Sequence, residues 1–294
     1  MEIDLRSFFM YRVEKADCLH LPLDDNSVDL VFTSPPYEDK RTYNIDFKLK
    51  GQDWVDWAVP RYLECLRVCR GLVAWIVQGK THQFKWSAIP VLLMAELHCQ
   101  GVNLRCPPVF HRVGIPGSGS FDWWRNDYEY IICATPPGRL PWSDNTATGL
   151  PNKYPPGGAL SHRTPDGQRI NAGLSKVRVD GKRPIPSIAN PGNALPHIKW
   201  EEDWCHTNVG GGVMGSKLAH ENEAPFPEKL VEPFVKCFCP PDGTVLDPFC
   251  GSGTTLKVAL VNGRSAIGYD IRDSQVALTL KRIEQEAISH GNPA

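Results

Sequence analysis

VLDPFCGSGTT, residues Val245–Thr255, is the stretch whose reading decides the fold. A short apolar run stops at Asp247-Pro248, Gly251 and Gly253 make a tight turn, and Thr254 opens an apolar segment of helical length. SAIGYD follows at 265–270 as a second strand and closes on Asp270. Glycines lack the side chain that would hold a ligand off the backbone, and a helix N-terminus presents unpaired N–H groups to polar or anionic atoms. An acid at the end of the next strand is where a nucleotide-binding βαβ unit takes ribose hydroxyls. An ordinary strand–turn–helix with an exposed aspartate would share single features of this pattern. Strand, turn, helix, strand and acid together point to a nucleoside site. It is not a P-loop, because no Gly-Lys-Ser/Thr follows the glycines.

Working outward, the chain alternates buried-strand and helical patterns. Val28–Thr33, Gly71–Val77 and Tyr128–Thr135 read as strands; Asp53–Cys69 and Phe84–Cys99 carry helical spacing, with Pro60 and Pro90 near a start or at a kink. After Pro227 the spacing predicts a helix through Cys237, strand Thr244–Asp247, helix Thr254–Val261, strand Ser265–Asp270 and a closing helix from Asp273. Strands separated by such helices build a mostly parallel sheet covered on both faces. At 294 residues the chain fits one large α/β domain with an inserted module, and 41% hydrophobic residues exclude wholesale disorder. No apolar run approaches a membrane span and the N-terminus carries no secretion signal, so a soluble intracellular protein is expected. None of the ten cysteines forms a C-x-x-C pair; reduced, buried thiols are expected, and no metal.

Residues 136–196 break the pattern, being dense in Pro and Gly without sustained periodicity. Between Arg139 and Lys199 nine Lys/Arg face three acids, giving +6 against −7 for the remainder. Clustered cations displace counterions from phosphates, which makes this segment a candidate nucleic-acid surface; a merely solvated loop is the alternative. Directly after the first strand stands a second motif, Thr33-Ser34-Pro35-Pro36-Tyr37. Consecutive prolines have no N–H and fix the carbonyls around them. A serine hydroxyl beside a fixed carbonyl is an acceptor pair suited to an –NH₂ group, and the tyrosine ring offers a stacking face.

TSPPY and DPFCGSGTT resemble two motifs of the S-adenosylmethionine-dependent DNA amino-methyltransferases, which methylate exocyclic nitrogens of cytosine or adenine. Their order, with TSPPY first and the glycine motif near the C-terminus, resembles the permuted β group. The resemblance implies a Rossmann-like α/β fold, a seven-stranded, mostly parallel, circularly permuted sheet whose strand seven is antiparallel. It further implies a catalytic half at 1–137, an irregular target-recognition insertion at 138–217 and a cofactor-binding half at 218–294. Residue by residue, Asp247, Phe249, Gly251, Gly253 and Thr254 would hold the methionine part of S-adenosyl-L-methionine, and Asp270 its ribose. Asp17, within Ala16-Asp17-Cys18-Leu19, would take the adenine amino group, although alone it reads as a helix cap. His220 and Phe226, in the stretch 220–227, would close over the cofactor.

The catalytic set implied is Ser34, Pro35, Pro36 and Tyr37. An exocyclic amine is nearly non-basic because its lone pair is delocalised into the ring. Accepting its two hydrogens at Ser34 and the Pro35 carbonyl would draw the nitrogen toward sp³ and aim the lone pair at the methyl. The base must leave the duplex to be reached. In this family S-P-P-Y leans to N4 of cytosine; adenine N6 is the alternative. The C5 route needs a nucleophilic cysteine, in that family within Pro-Cys, a dipeptide absent from this chain. Double-stranded DNA is the implied partner, with Arg163, Arg169, Arg178, Lys182 and Arg183 as candidate contacts. A homodimer and a cognate restriction endonuclease stay open, and the expected setting is a bacterial or phage-encoded enzyme at the cytoplasmic nucleoid. Two rivals remain. A dinucleotide oxidoreductase lacks G-x-G-x-x-G and leaves S-P-P-Y without a role, and a non-catalytic DNA-binding module would not need both motifs intact.

Overall fold

A computed structural model describes residues 10–38, 47–113, 122–124, 128–144, 147–148, 160–163, 166, 168–172, 206–208, 217–222 and 224–287. Two compact units result, one of residues 1–143 with 198–294 and one of residues 144–197. In chain order the elements are β1 (Tyr11–Lys15), β2 (Val28–Thr33), α1 (Gly51–Val68), β3 (Cys69–Val77), the hairpin β4–β5 (Thr81–His82 and Lys85–Trp86) and α2 (Ile89–Cys99). Next come β6 (Leu104–Arg105), β7 (Val109–Val113), β8 (Tyr128–Ala134), the hairpin β9–β10 (Leu160–Arg163 and Arg169–Ala172) and β11 (His206–Asn208). The chain then runs α3 (Glu228–Phe238), β12 (Thr244–Asp247), α4 (Thr254–Val261), β13 (Ser265–Asp270) and α5 (Asp273–Arg282).

The larger unit is built on a nine-stranded sheet ordered β1-β13-β12-β2-β3-β8-β7-β11, with β6 added on β8. Seven strands, from β1 to β7 along that path, make the expected mostly parallel sheet. β8 runs antiparallel to both β3 and β7. The short strands β6 and β11 extend it beyond seven. β12 to β13 proceeds one way along the sheet and β2 to β3 the other. The order therefore reverses between β12 and β2, and a crevice opens beyond their carboxyl ends, where α/β sheets bind ligands.

Every residue of β2 is buried, as a strand covered on both faces requires. Val31 joins the apolar cluster that includes α1, whereas Leu30 and Phe32 join the one that includes α3 and α4. Helix α1 buries Trp54, Val55, Ala58, Val59, Tyr62, Cys65 and Val68, one stripe at helical spacing. Asp29 is the charged exception within β2. It accepts two bonds from Arg70 (2.7 and 3.0 Å) and one from Thr244 N–H (2.9 Å), stitching β2 to the starts of β3 and β12.

One element boundary departs by several residues from the sequence reading. Helix α2 begins at Ile89 rather than Phe84, because residues 81–86 turn back as β4–β5 through Gln83 and Phe84 at φ 48° and 64°. Pro90 then falls in the first helical turn, where no N–H is needed. Pro60 sits inside α1. In the smaller unit, β9 and β10 pair antiparallel with Arg163 opposite Arg169. Among the described residues, no helix is long and apolar enough to cross a membrane. No group of three or more potential metal ligands occurs among them either.

Candidate active site

Both motifs line one pocket in the crevice, within the larger unit. One wall is the loop between β12 and α4. Gly251 and Gly253 adopt φ of 51° and 77°, a region that strains any residue with a β-carbon. A β-carbon on Gly251 would also stand 2.7 Å from Asn222 Nδ2. The loop is tied down from behind: Gly253 N–H donates to the Cys250 carbonyl (2.7 Å) and Thr279 Oγ1 to the Gly251 carbonyl (2.8 Å). Arg282, fully buried, donates to the Ser252 carbonyl (3.2 Å) and to Thr254 Oγ1 (2.9 Å). Its charge is met by Glu228 (2.7 Å) and Glu286 (3.1 Å), and Lys257 bridges the same two glutamates.

Asp270, at the end of β13, accepts from Gly251 N–H on Oδ2 (3.3 Å) and from Arg272 N–H and Nε on Oδ1 (2.9 and 3.3 Å). It lines the pocket. Asp17 follows β1, which lies beside β13. Its Oδ1 accepts from Leu19 N–H (3.0 Å) and Arg61 Nε (3.1 Å), and its Oδ2 from Arg61 Nη2 (2.9 Å). The Arg61 guanidinium lies 4.5 Å from the Trp57 ring centre. Asp17 thus closes a turn and pairs with Arg61 rather than capping a helix.

The other wall is Ser34–Tyr37, held at the end of β2. Trp54 Nε1 donates to the Pro36 carbonyl (2.9 Å), fixing the Pro-Pro turn against α1. Ser34 Oγ donates to the Tyr37 hydroxyl (3.2 Å), which donates to Glu129 Oε2 (2.6 Å). Glu129 lies on β8 with 4% of its surface exposed. Asp247 joins the two walls from below. Fully buried, it accepts from Thr33 Oγ1 (2.5 Å) and Phe249 N–H (3.1 Å) on Oδ1, while Oδ2 has no partner. Burial pushes its carboxyl up to about 6, against the pull of the Thr33 and Phe249 hydrogen bonds. Burial likewise raises the Cys250 thiol well above its ordinary value, leaving it neutral.

Of the residues singled out in the sequence, Asp17, Ser34, Pro35, Pro36, Tyr37, Phe226, Phe249, Gly251, Thr254 and Asp270 meet at this pocket. Asp247 and Gly253 do not line it; they set the shape of the loop that does. The His220 side chain lies outside the described residues, as do Arg178, Lys182 and Arg183, while Arg163 and Arg169 are described only in backbone. Sequence reasoning missed Glu129, Arg61, Trp57 and Asn222 at the pocket and Arg282 behind it. Each acts on a motif distant in sequence, so no local spacing announces it.

The cradle fits a nucleoside cofactor: side-chain-free glycines lie at close backbone approach, the Asp270 carboxylate lines the same pocket and Phe249 is a half-buried aromatic beside them. The chain is 26% identical over 277 residues to the orphan methyltransferase M.BamHII of Bacillus amyloliquefaciens, covering 91% of this chain and 93% of that one. It is 22% identical to the DNA adenine methyltransferase YhdJ of Escherichia coli K12, over 88% of this chain and 76% of that one. Its fold matches the cytosine-N4-specific PvuII DNA methyltransferase with a TM-score of 0.64, at 17% identity over 97% of this chain and 94% of that one. A putative DNA modification methylase of Thermus thermophilus, solved with S-adenosyl-L-methionine, matches at 0.57 and 19% identity, over 95% and 96% of the two chains. Residues 28–281 match the model of the N6/N4 methyltransferases, described as DNA methylase, and the chain belongs to that family.

Proposed function

We propose that this DNA methyltransferase transfers a methyl group from S-adenosyl-L-methionine to the exocyclic N4 of cytosine in duplex DNA. One observation carries the reading. Ser34-Pro35-Pro36-Tyr37 and the glycine loop, 214 residues apart at their anchors Thr33 and Asp247, line one pocket beyond β2 and β12. The cofactor supplies a sulfonium-activated methyl. Gly251, Gly253 and Thr254 shape the surface for its methionine part, Asp270 accepts from the ribose hydroxyls, and Asp17 accepts from the adenine amine.

The protein's remaining task is to make a poor nucleophile point the right way. Ser34 Oγ and the Pro35 carbonyl accept the two amine hydrogens, which localises the nitrogen lone pair and directs it across the pocket. The Pro-Pro turn pinned by Trp54 keeps both acceptors fixed while the base enters. Extrusion of the base from the stack gives it access, with Tyr37 and Phe110 among the rings lining the pocket. The serine in the first position of the motif supports cytosine. The basic residues of 139–199, Arg163, Arg169, Arg178, Lys182 and Arg183 among them, would hold the phosphates. Nucleoside analysis of duplex DNA treated with the protein and labelled cofactor tests the reading. N4-methylcytosine is expected; N6-methyladenine would reassign the base, and no label in DNA would remove the activity.

A further inference from the structure

A hydroxyl can face a ligand with its hydrogen or with its lone pairs, and the two are opposite instructions to an amine. Ser34 helps the reaction described above only if it offers lone pairs. The hydrogen bonds beside it favour the second. The Tyr37 hydroxyl donates to Glu129 Oε2 at 2.6 Å, which uses that phenol's single hydrogen. The Tyr37 oxygen then has lone pairs alone to offer Ser34 Oγ at 3.2 Å, and the serine hydrogen turns toward it. What Ser34 has left for the pocket is acceptor capacity.

We propose that Glu129 is a positioning residue for methyl transfer, setting the direction of the hydrogen-bond chain from the target amine through Ser34 and Tyr37 to its own carboxylate. This inference rests on the amine-methylating reading of the site. Two observations beyond the hydrogen bonds support it. Glu129 is buried and lines the pocket. It comes from β8, the antiparallel strand whose amino end reaches the same side of the sheet as the carboxyl ends of β2 and β3.

Single-turnover methylation of duplex DNA by Glu129→Ala, Tyr37→Phe, Ser34→Ala and the double variant Ser34→Ala/Glu129→Ala tests the proposal. Glu129→Ala is expected to slow transfer by about a hundredfold, as misdirected acceptors do, with cofactor and DNA dissociation constants nearly unchanged. Tyr37→Phe should lose a similar factor, and it leaves the buried carboxylate in place if Glu129→Ala folds poorly. Because Glu129 acts through Ser34, the double variant should be no slower than Ser34→Ala. Multiplying losses in the double variant would overturn the proposal, as would wild-type transfer by both Glu129→Ala and Tyr37→Phe. Unimpaired transfer in Ser34→Ala would instead strike at the serine's own role, and absence of transfer in the wild type at the reading beneath both.

Discussion

The two walls of the pocket, which the proposed function assigns to the cofactor and to the target base, are held by different means. The cofactor wall, Gly251–Thr254, is fixed from behind by buried charge: Arg282 grips the loop and is itself clamped by Glu228 and Glu286, with Lys257 closing the group. The target wall, Ser34–Tyr37, is fixed by hydrogen bonds that reach the pocket surface, from Trp54 to Pro36 and from Tyr37 to Glu129. A cofactor common to every turnover suits a rigid cradle. Under the proposed function, a base swung in and released would suit a wall whose polar groups are ordered yet accessible.

Breaking the cofactor wall should therefore have the largest effect. Arg282→Ala strands two glutamates beside Lys257 and frees the Ser252 carbonyl and the Thr254 hydroxyl in a buried setting. Removing one partner of a buried charge group costs about 3–5 kcal/mol, and the surviving Lys257 favours the lower end. Denaturant unfolding of wild type and variant measures the loss directly. Stability within about 1 kcal/mol of wild type would mean the glycine turn keeps its shape without the buried cation.

Asp247, where the walls meet, offers a pH test of the same rigidity. Its folded-state value is pushed up to about 6 from an ordinary 3.8. Between those values the native chain binds more protons than the unfolded one, so this carboxyl's contribution falls as pH rises through the window. Above pH 6 the loss is on the order of 3 kcal/mol. Asp247→Asn keeps an oxygen for Thr33 and Phe249 but cannot ionise. Its stability relative to wild type should rise between pH 4 and pH 7 and then level off. A difference that stays flat across this range would show that the buried carboxyl is not held near neutrality.

A smaller change sharpens the comparison within the cofactor wall. Gly253→Ala asks an L-residue to adopt φ 77° and sets its β-carbon 2.8 Å from Thr279 Cγ2. About 2 kcal/mol is expected from the backbone and the contact together. Thermal unfolding reads it, and the companion Thr279→Ser should recover the part due to crowding. If Thr279→Ser recovers nothing, the cost lies in the backbone alone.

These differences also decide how much the sequence could disclose. Strands β2, β12 and β13 and helix α4 coincide with their apolar runs because each is buried on both faces or bounded by Pro or Gly. The edge strand β1, YRVEK, leaves every residue at least partly exposed and so lacks a run to find. The hairpin β4–β5 pre-empted the first turn of α2 because two consecutive residues take positive φ, which composition does not report. In the site, the motifs were legible because their chemistry is contiguous: glycine, glycine and threonine in one turn, serine and tyrosine around two prolines. Their supports were not. Glu129 sits 92 residues from Tyr37 in a strand that reads as apolar, and Arg282 lies 28 residues from Thr254 on a helix whose pattern gives no sign of a buried cation.

The gentlest test separates the pocket's rim from both walls. Arg61 meets Asp17 in a two-pronged pair, yet the Asp17 side chain is 49% exposed, so water screens the charge. The aromatic contact with Trp57 adds modestly at such a site. Arg61→Ala should accordingly cost folding less than about 1 kcal/mol. Its effect on binding has a different origin. With Leu19 N–H and two guanidinium hydrogens already on the Asp17 carboxylate, one further acceptor direction remains, and Arg61 decides which way it faces. Under the proposed function that direction meets the adenine amine. Loss of Arg61 should then raise the cofactor dissociation constant by about fivefold to tenfold, the worth of one misaligned hydrogen bond, while the single-turnover rate at saturating cofactor stays at the wild-type level. Titration calorimetry with S-adenosyl-L-methionine gives the first number and rapid-quench methylation the second. A reduced rate at saturation would place Arg61 on the target side of the pocket. Unchanged affinity would show that Asp17 is oriented by its own turn, through Leu19, without help from the helix beside it.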